Sequence, residues 1–138
     1  MFKKMLVPVD LAHIDGLQRA LTTASDLGKH YETEICYISV TSSAPGSVAR
    51  TPEEYQEKLE KFAHEQARTH GQRVSARVVV SIDPAVELDD KLIEAIEDVG
   101  ADLVVMATHH HGRHDIIMPS NGSEVAKHTN ASIFLVRP

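Results

Sequence analysis

The chain has 138 residues, 42% of them hydrophobic and 25% charged, which is typical of one globular domain spanning residues 1–138. Its 20 acidic and 14 basic side chains give a net charge of -6, which disfavours binding to nucleic acid. No apolar run reaches the ~20 residues that span a bilayer, and the first run is too short for a signal peptide. The single cysteine, Cys36, excludes an intramolecular disulfide. We therefore expect a cytoplasmic protein that binds neither nucleic acid nor membrane.

Five short runs rich in β-branched residues predict strands. Several are nearly continuous apolar stretches, which is typical of parallel strands that are covered on both faces. The runs are 4–10, 34–40, 77–82, 102–108 and 132–137.

Helical patterns separate these strands. The first carries an apolar stripe from Leu17 to Leu27 at steps of three and four residues. The second begins after Thr51, a predicted N-cap that forms a capping box with Glu54, and its stripe is Tyr55, Leu59, Phe62 and Ala63. The third begins after Asp83, also a predicted cap, and a short fourth helix is predicted over 122–128.

This alternation predicts an α/β fold, a doubly wound sheet of five parallel strands with helices on both faces. Ligands of such sheets bind beyond the carboxyl ends of the strands. The segments expected at that edge are 8–10, 39–43, 81–83 and 107–114. The Ser- and Gly-containing stretch 41–50 is predicted to be a mobile loop.

The chain lacks the usual motifs of catalysis and nucleotide binding. It has no Walker P-loop, no glycine-rich dinucleotide fingerprint after strand one and no G-x-S-x-G elbow. Cys36 lies within a predicted strand with no activating neighbour, which disfavours a thiol nucleophile. We therefore expect a protein without a dedicated catalytic centre.

A histidine cluster at 109–114 suggests metal binding as one alternative. His109, His110, His111 and His114 offer imidazole ligands for zinc, copper or nickel. Adjacent side chains in extended backbone diverge, however, and Asp115 is the nearest carboxylate. A loop facing solvent or phosphate is the competing interpretation.

A phosphorelay receiver domain is a second alternative with a similar α/β pattern. Asp10, Asp83 and Thr108 occupy three of the places that its phosphorylation site requires. Against it, only one acid follows strand one closely, Asp83 also fits a helix cap, and strand five has no lysine at its end.

The chain resembles the universal stress protein family from end to end. The resemblance is strongest in the stretches 1–10, 83–109 and 121–138, which include "VPVD" and "GADLVVMATH". It implies the strand order 3-2-1-4-5, a homodimer formed through strand five, and ATP bound at the carboxyl edge in many members.

The resemblance also implies which residues contact the nucleotide. Pro8, Val9 and Asp10 match the strand-one segment beside adenine and ribose, and Val40 matches the strand-two position whose backbone meets adenine. The phosphate loop would begin at Met106 and Ala107 and end at Ser120 and Asn121.

The phosphate loop departs from the family pattern G-x2-G-x9-G-[ST]. Ala107, His110 and, one residue short, Pro119 stand where glycines are expected, and proline has no N–H to donate. A family subset has "GSN" after a shorter histidine-containing loop, which residues 119–121 resemble. In that reading His109, His110 and Arg113 contact phosphate in place of glycine amides.

These observations predict a non-catalytic regulatory homodimer that binds ATP, with or without Mg²⁺, and hydrolyses it slowly at most. The alternative is a family member that no longer binds nucleotide and serves only as a dimeric interaction module. The apolar run of strand five is predicted to pair with its copy, because an open apolar edge favours association. Its residues are Ser132, Ile133, Phe134, Leu135 and Val136. No other protein partner is indicated.

Overall fold

The computed structural model of the chain describes residues 1–108 and 122–137. Five parallel strands form one sheet, and helices connect them. In chain order the elements are β1 (Lys4–Pro8), a 3-10 helix (Leu11–Leu17), α1 (Gln18–Tyr31), β2 (Glu34–Thr41), α2 (Pro52–His70), β3 (Val74–Val80), α3 (Pro84–Val99), β4 (Leu103–Ala107), α4 (Gly122–Lys127) and β5 (Ser132–Val136).

The strand order is β3-β2-β1-β4-β5, and every neighbouring pair is parallel. This confirms the predicted doubly wound sheet and the order that the family resemblance implied. It also excludes the receiver alternative, because receiver domains have the order 2-1-3-4-5, in which strand three lies beside strand one.

Two apolar cores lie on the two faces of the sheet. Because strand side chains alternate, Met5 and Val7 pack under α1 and α2, whereas Leu6 packs under α3 and α4. Burial on both faces explains why the strands are nearly continuous apolar runs in the sequence. Among the described helices, none is long and apolar enough to cross a membrane.

Two strand boundaries differ from the predictions. β1 ends at Pro8, since Asp10 already serves as the N-cap of the 3-10 helix. β3 begins at Val74, earlier than predicted, and ends at Val80, so Ile82 is almost fully exposed. β3 is an edge strand, and such a strand can contain polar residues where it faces solvent.

The two predicted helix caps hold only in part. Thr51 Oγ1 accepts from Glu54 N at 3.1 Å, but the Glu54 carboxylate reaches Arg50 N rather than Thr51 N. Asp83 occupies its N-cap position without a side-chain cap bond.

Glu87 of α3 accepts hydrogen bonds from two residues that precede the helix. Its Oε1 accepts from Ser81 Oγ at 2.6 Å and from Asp83 N at 3.1 Å. The Ser81 hydroxyl, followed by the Asp83 amide, lowers the pKa of Glu87. The start of α3 is thus fastened to the end of β3 by a glutamate one turn inside the helix.

A substitution at Leu59 tests the packing of the core beneath α2. We expect Leu59→Ala to lower the free energy of unfolding by about 2–5 kcal/mol, because this fully buried side chain would leave a cavity. Urea titration followed by circular dichroism measures the change. Val86→Ala, at an exposed position of α3, should stay within ~0.5 kcal/mol of the wild type. A loss below ~1 kcal/mol for Leu59→Ala would contradict the described packing.

Candidate functional site

A cleft of about 120 Å³ lies beyond the carboxyl ends of β1 and β2. The loop after β2 and the first turns of α2 form its remaining walls. Its lining is Asp10, Ala12, Val40, Thr41, Gly46, Ser47, Val48, Ala49 and Tyr55. The cleft is therefore at the edge of the sheet where the sequence predicted a ligand site.

Asp10 is the one buried carboxylate of this cleft among the residues that the structure describes, with 4% of its surface exposed. Its Oδ1 accepts from Ala12 N at 3.0 Å and so caps the 3-10 helix. Its Oδ2 lies 2.5 Å from Nδ1 of His13, whose side chain is 58% exposed. Both carboxylate oxygens are therefore engaged within the protein.

Hydrogen bonds from β2 and α2 fix the backbone around Asp10. Ser39 Oγ donates to Val9 O at 2.6 Å, and Leu11 N donates to the Tyr55 hydroxyl at 3.2 Å. Burial raises the pKa of Tyr55, so the phenol stays protonated at neutral pH. The backbone on both sides of Asp10 is thus held by one residue of β2 and one residue of α2.

The loop that covers the cleft is fastened at several points. Gly46 N donates to Ala49 O at 2.9 Å, and Lys58 Nζ of α2 donates to Val48 O. Ala49 is buried against the core beneath α2. The stretch that was predicted to be a mobile loop forms a wall of the cleft in this structure.

The structure brings together only part of the predicted nucleotide site. Asp10 and Val40 line the cleft, and Pro8 and Val9 lead into it. Met106 and Ala107 end the neighbouring strand β4, where both are buried. The Met106 side chain packs in the core under α3, so this residue offers a ligand only its backbone.

The remaining predicted site residues lie outside the described part of the chain. They are His109, His110, Arg113, Ser120 and Asn121. The metal hypothesis on His109–His114 falls in the same stretch, and the described residues contain no group of three metal-ligating side chains.

Tyr55 is a site residue that the sequence analysis assigned to the core alone. Its ring does pack in the core beneath α2, but its hydroxyl reaches the end of β1. The only signal of this role in the sequence was the position of Tyr55 near the start of α2, just after the loop that follows β2.

The thiol of Cys36 is buried, and burial raises its pKa, which makes the thiolate unfavourable.

A larger groove of about 430 Å³ lies at the opposite edge of the sheet. Gly28, Lys29, Glu32, Thr33, Gly71, Gln72 and Arg73 line it. Its charged side chains are exposed and of mixed sign, whereas the smaller cleft contains a buried carboxylate. The smaller cleft is the better candidate for a specific site.

A doubly wound sheet with a cleft beside its switch point is the arrangement in which a class of α/β proteins binds small ligands. The universal stress protein family model matches residues 1–137. The chain therefore belongs to the universal stress protein family. No curated protein matches the chain.

Solved structures of the same family share this fold. A universal stress protein from Archaeoglobus fulgidus is 16% identical with a TM-score of 0.68, and the match covers 98% of each chain. The structure from Archaeoglobus fulgidus in complex with dAMP is 17% identical, with a TM-score of 0.65 over 96% of each chain. An Arabidopsis thaliana family protein with AMP bound is 15% identical, with a TM-score of 0.64 over 98% of this chain and 90% of its own.

Tyr55→Phe tests whether the hydroxyl holds the end of β1. The substitution leaves Leu11 N without its acceptor, so we expect the free energy of unfolding to fall by about 1–3 kcal/mol. Tyr31→Phe is a matched control, because its hydroxyl makes no hydrogen bond among residues 1–108 and 122–137. Equal unfolding midpoints for the two variants in urea would show that the Tyr55 bond contributes nothing.

Proposed function

We propose that the chain binds an adenine nucleotide, ATP with or without Mg²⁺, at the cleft formed by β1, β2 and α2. In this proposal it acts in the cytoplasm as a non-catalytic homodimer in a stress response. The observation that carries the proposal is the convergence of Asp10, Val40 and Tyr55 on one cleft at the ligand-binding edge. Family structures with dAMP and AMP bound support the choice of ligand.

The lining of the cleft suits a purine base and its ribose. Val40, Val48 and Ala49 offer apolar surface for a base. Asp10 and Thr41 add oxygen atoms that accept from a ribose hydroxyl or an exocyclic amine. A few polar groups in an apolar cleft are the usual composition of a small-molecule site.

The phosphates are assigned to the residues that follow β4. The sequence predictions for His109, His110, Arg113, Ser120 and Asn121 remain predictions, since these residues lie outside the described chain. β4 lies next to β1, so the chain leaves Ala107 on the side of β1 opposite β2. A phosphate site there would be continuous with the cleft.

One set of observations favours the alternative of a family member that no longer binds nucleotide. Both oxygens of Asp10 are already engaged by Ala12 N and His13. The cleft of about 120 Å³ is also smaller than the ~300–1,000 Å³ of most ligand sites. A nucleotide would therefore have to share Asp10 with Ala12 and His13 or displace His13, and the cleft would have to widen or extend toward β4.

The homodimer is proposed to form through β5. Phe134 and Leu135 are 44% and 45% exposed, and as consecutive strand residues they point to opposite faces. Large apolar side chains exposed on both faces of an edge strand are typical of a strand that pairs in an assembly. A twofold pair of β5 strands would cover both side chains.

Nucleotide binding predicts that ATP raises the melting temperature and that changes at Asp10 and His13 act in opposite directions. Asp10→Asn keeps an oxygen for Ala12 N but removes the charge, so affinity for ATP should fall about tenfold. His13→Ala frees Oδ2 of Asp10 and should raise affinity several-fold. Isothermal titration into metal-stripped protein measures both, with and without Mg²⁺.

Adenosine is the control ligand, because it lacks the phosphates. If the residues after β4 contact phosphate, ATP should bind more tightly than adenosine, and Arg113→Ala should remove most of that difference. Absence of heat and of a thermal shift at millimolar ATP, in the wild type and in His13→Ala alike, would reject nucleotide binding. The interaction-module alternative would then stand.

Pairing through β5 predicts a solution mass of about twice the 15.2 kDa of one chain. Phe134→Glu places a charge in the proposed interface and should weaken association at least about tenfold. Light scattering after size exclusion measures the mass. Val86→Glu, at a more exposed apolar position outside β5, should leave the mass unchanged. A wild-type mass of one chain would refute the dimer.

A further inference from the structure

The sheet has two edge strands, β3 and β5. An edge strand presents backbone N–H and C=O groups that can pair with a strand of another molecule. The two edges therefore compete as surfaces for self-association, unless one of them is closed.

The backbone groups of β3 that face outward can be assigned from its bonds to β2. Arg73 O accepts from Ile35 N at 3.0 Å, and Ser81 N donates to Thr41 O at 2.8 Å. Because both backbone groups of one residue point the same way and alternate along a strand, odd-numbered residues face β2. Val74, Ala76, Val78 and Val80 consequently face outward.

The side chain of Gln56 occupies this outward edge. Val78 N donates to Gln56 Oε1 at 2.9 Å, and Gln56 Nε2 donates to Ala76 O at 3.0 Å. In an adjacent parallel strand, a single residue would make both bonds. Its C=O would accept from Val78 N, and its N–H would donate to Ala76 O. A glutamine of α2 thus takes the place of a neighbouring strand.

The orientation of this amide follows from its partners. The second N–H of Nε2 donates to Glu60 Oε1 at 2.9 Å. The amide nitrogen therefore meets only acceptors, and the amide oxygen meets only a donor, so the reversed amide would lose all three bonds. A fully satisfied side chain is held in place more firmly than one with a single contact.

We propose that Gln56 closes the β3 edge to pairing with a second copy of the chain and thereby directs self-association to β5. The partner that it excludes is the β3 strand of another copy, which a twofold axis would place antiparallel. Apolar surface beside this edge makes such pairing favourable once the edge is open. Val80, at the end of β3, and Ile82, just after it, are 47% and 98% exposed.

This inference goes beyond nucleotide binding and does not depend on it. It rests on the proposed β5 dimer only for the kind of assembly that forms when the β3 edge is opened. If β5 pairs, opening β3 gives each chain two twofold interfaces at opposite edges, and open chains of dimers result. If β5 does not pair, opening β3 converts monomers into dimers.

The first test compares Gln56→Ala with Gln66→Ala, a change of the same type on the same helix. Gln66 makes no hydrogen bond among residues 1–108 and 122–137. Light scattering from low to high micromolar concentration should show the mean mass of Gln56→Ala rising to at least about twice that of the wild type. Gln66→Ala should match the wild type.

Adding Val80→Lys to Gln56→Ala should return the mass to the wild-type value, because a charge at the outward edge disfavours strand pairing. A folded Gln56→Ala protein with the wild-type mass at every concentration would overturn the proposal. A rise in mass that Val80→Lys does not reverse would overturn it as well, since association would then use another surface.

Amide hydrogen exchange of the wild type gives a measurement that needs no variant. The Val78 amide should exchange about tenfold or more slowly than the Val80 amide, although both face outward on the same edge strand. Equal exchange rates would mean that Gln56 does not hold the edge. The mass of the wild type tests β5 separately, so failure of the dimer and failure of the edge closure give different results.

Discussion

The structure depends on how the chain leaves β1. Val9 N donates to Ile38 O at 2.8 Å, Val9 O accepts from Ser39, and Leu11 N donates to Tyr55 of α2. Each of these groups lies beside the core, where an unsatisfied hydrogen-bonding group costs about 1–3 kcal/mol. The turn is therefore stabilised by both β2 and α2. Because β1 lies at the centre of the sheet, the same bonds position the edge at which a ligand can bind.

Asp10 makes two contacts at this turn, one through each carboxylate oxygen. Its Oδ1 caps the 3-10 helix, and its Oδ2 lies against His13. A ligand that uses the carboxylate would either add a bond to one of these oxygens or replace one of these contacts. The bond to His13 is the one that can yield, because His13 is largely exposed and regains water, whereas Ala12 N would lose its cap. In the proposed function, the cost of displacing this exposed histidine would lower the affinity of the cleft for a ligand that takes its place.

Most of the fold follows from local patterns in the sequence, and the site follows only in part. Continuous apolar runs and prolines after Thr51 and Asp83 predicted the strands and helix starts, since those signals act within a few residues. The role of Glu87 was not visible, because it depends on how α3 lies against the end of β3. Tyr55 was predicted to be a core residue, and its ring does pack in the core. Only the structure shows that its hydroxyl also accepts a hydrogen bond from Leu11 N. Contacts between residues remote in sequence require the register of α2 against the sheet, which no local pattern contains.

The register of α2 against the sheet links the cleft and the β3 edge. Tyr55 and Gln56 are consecutive residues on α2, and a helix turns about 100° per residue, so one reaches the cleft and the other reaches the β3 edge. Any movement of α2 that widens the cleft would lengthen the Gln56 bonds to Ala76 and Val78, which are near 3 Å. Widening would therefore fall to the loop over 42–51, which is bonded to Lys58 and Glu54 at the surface and packs against the core through Ala49. In the proposed function, the helix would hold the sheet edge closed while the loop adjusts to a ligand.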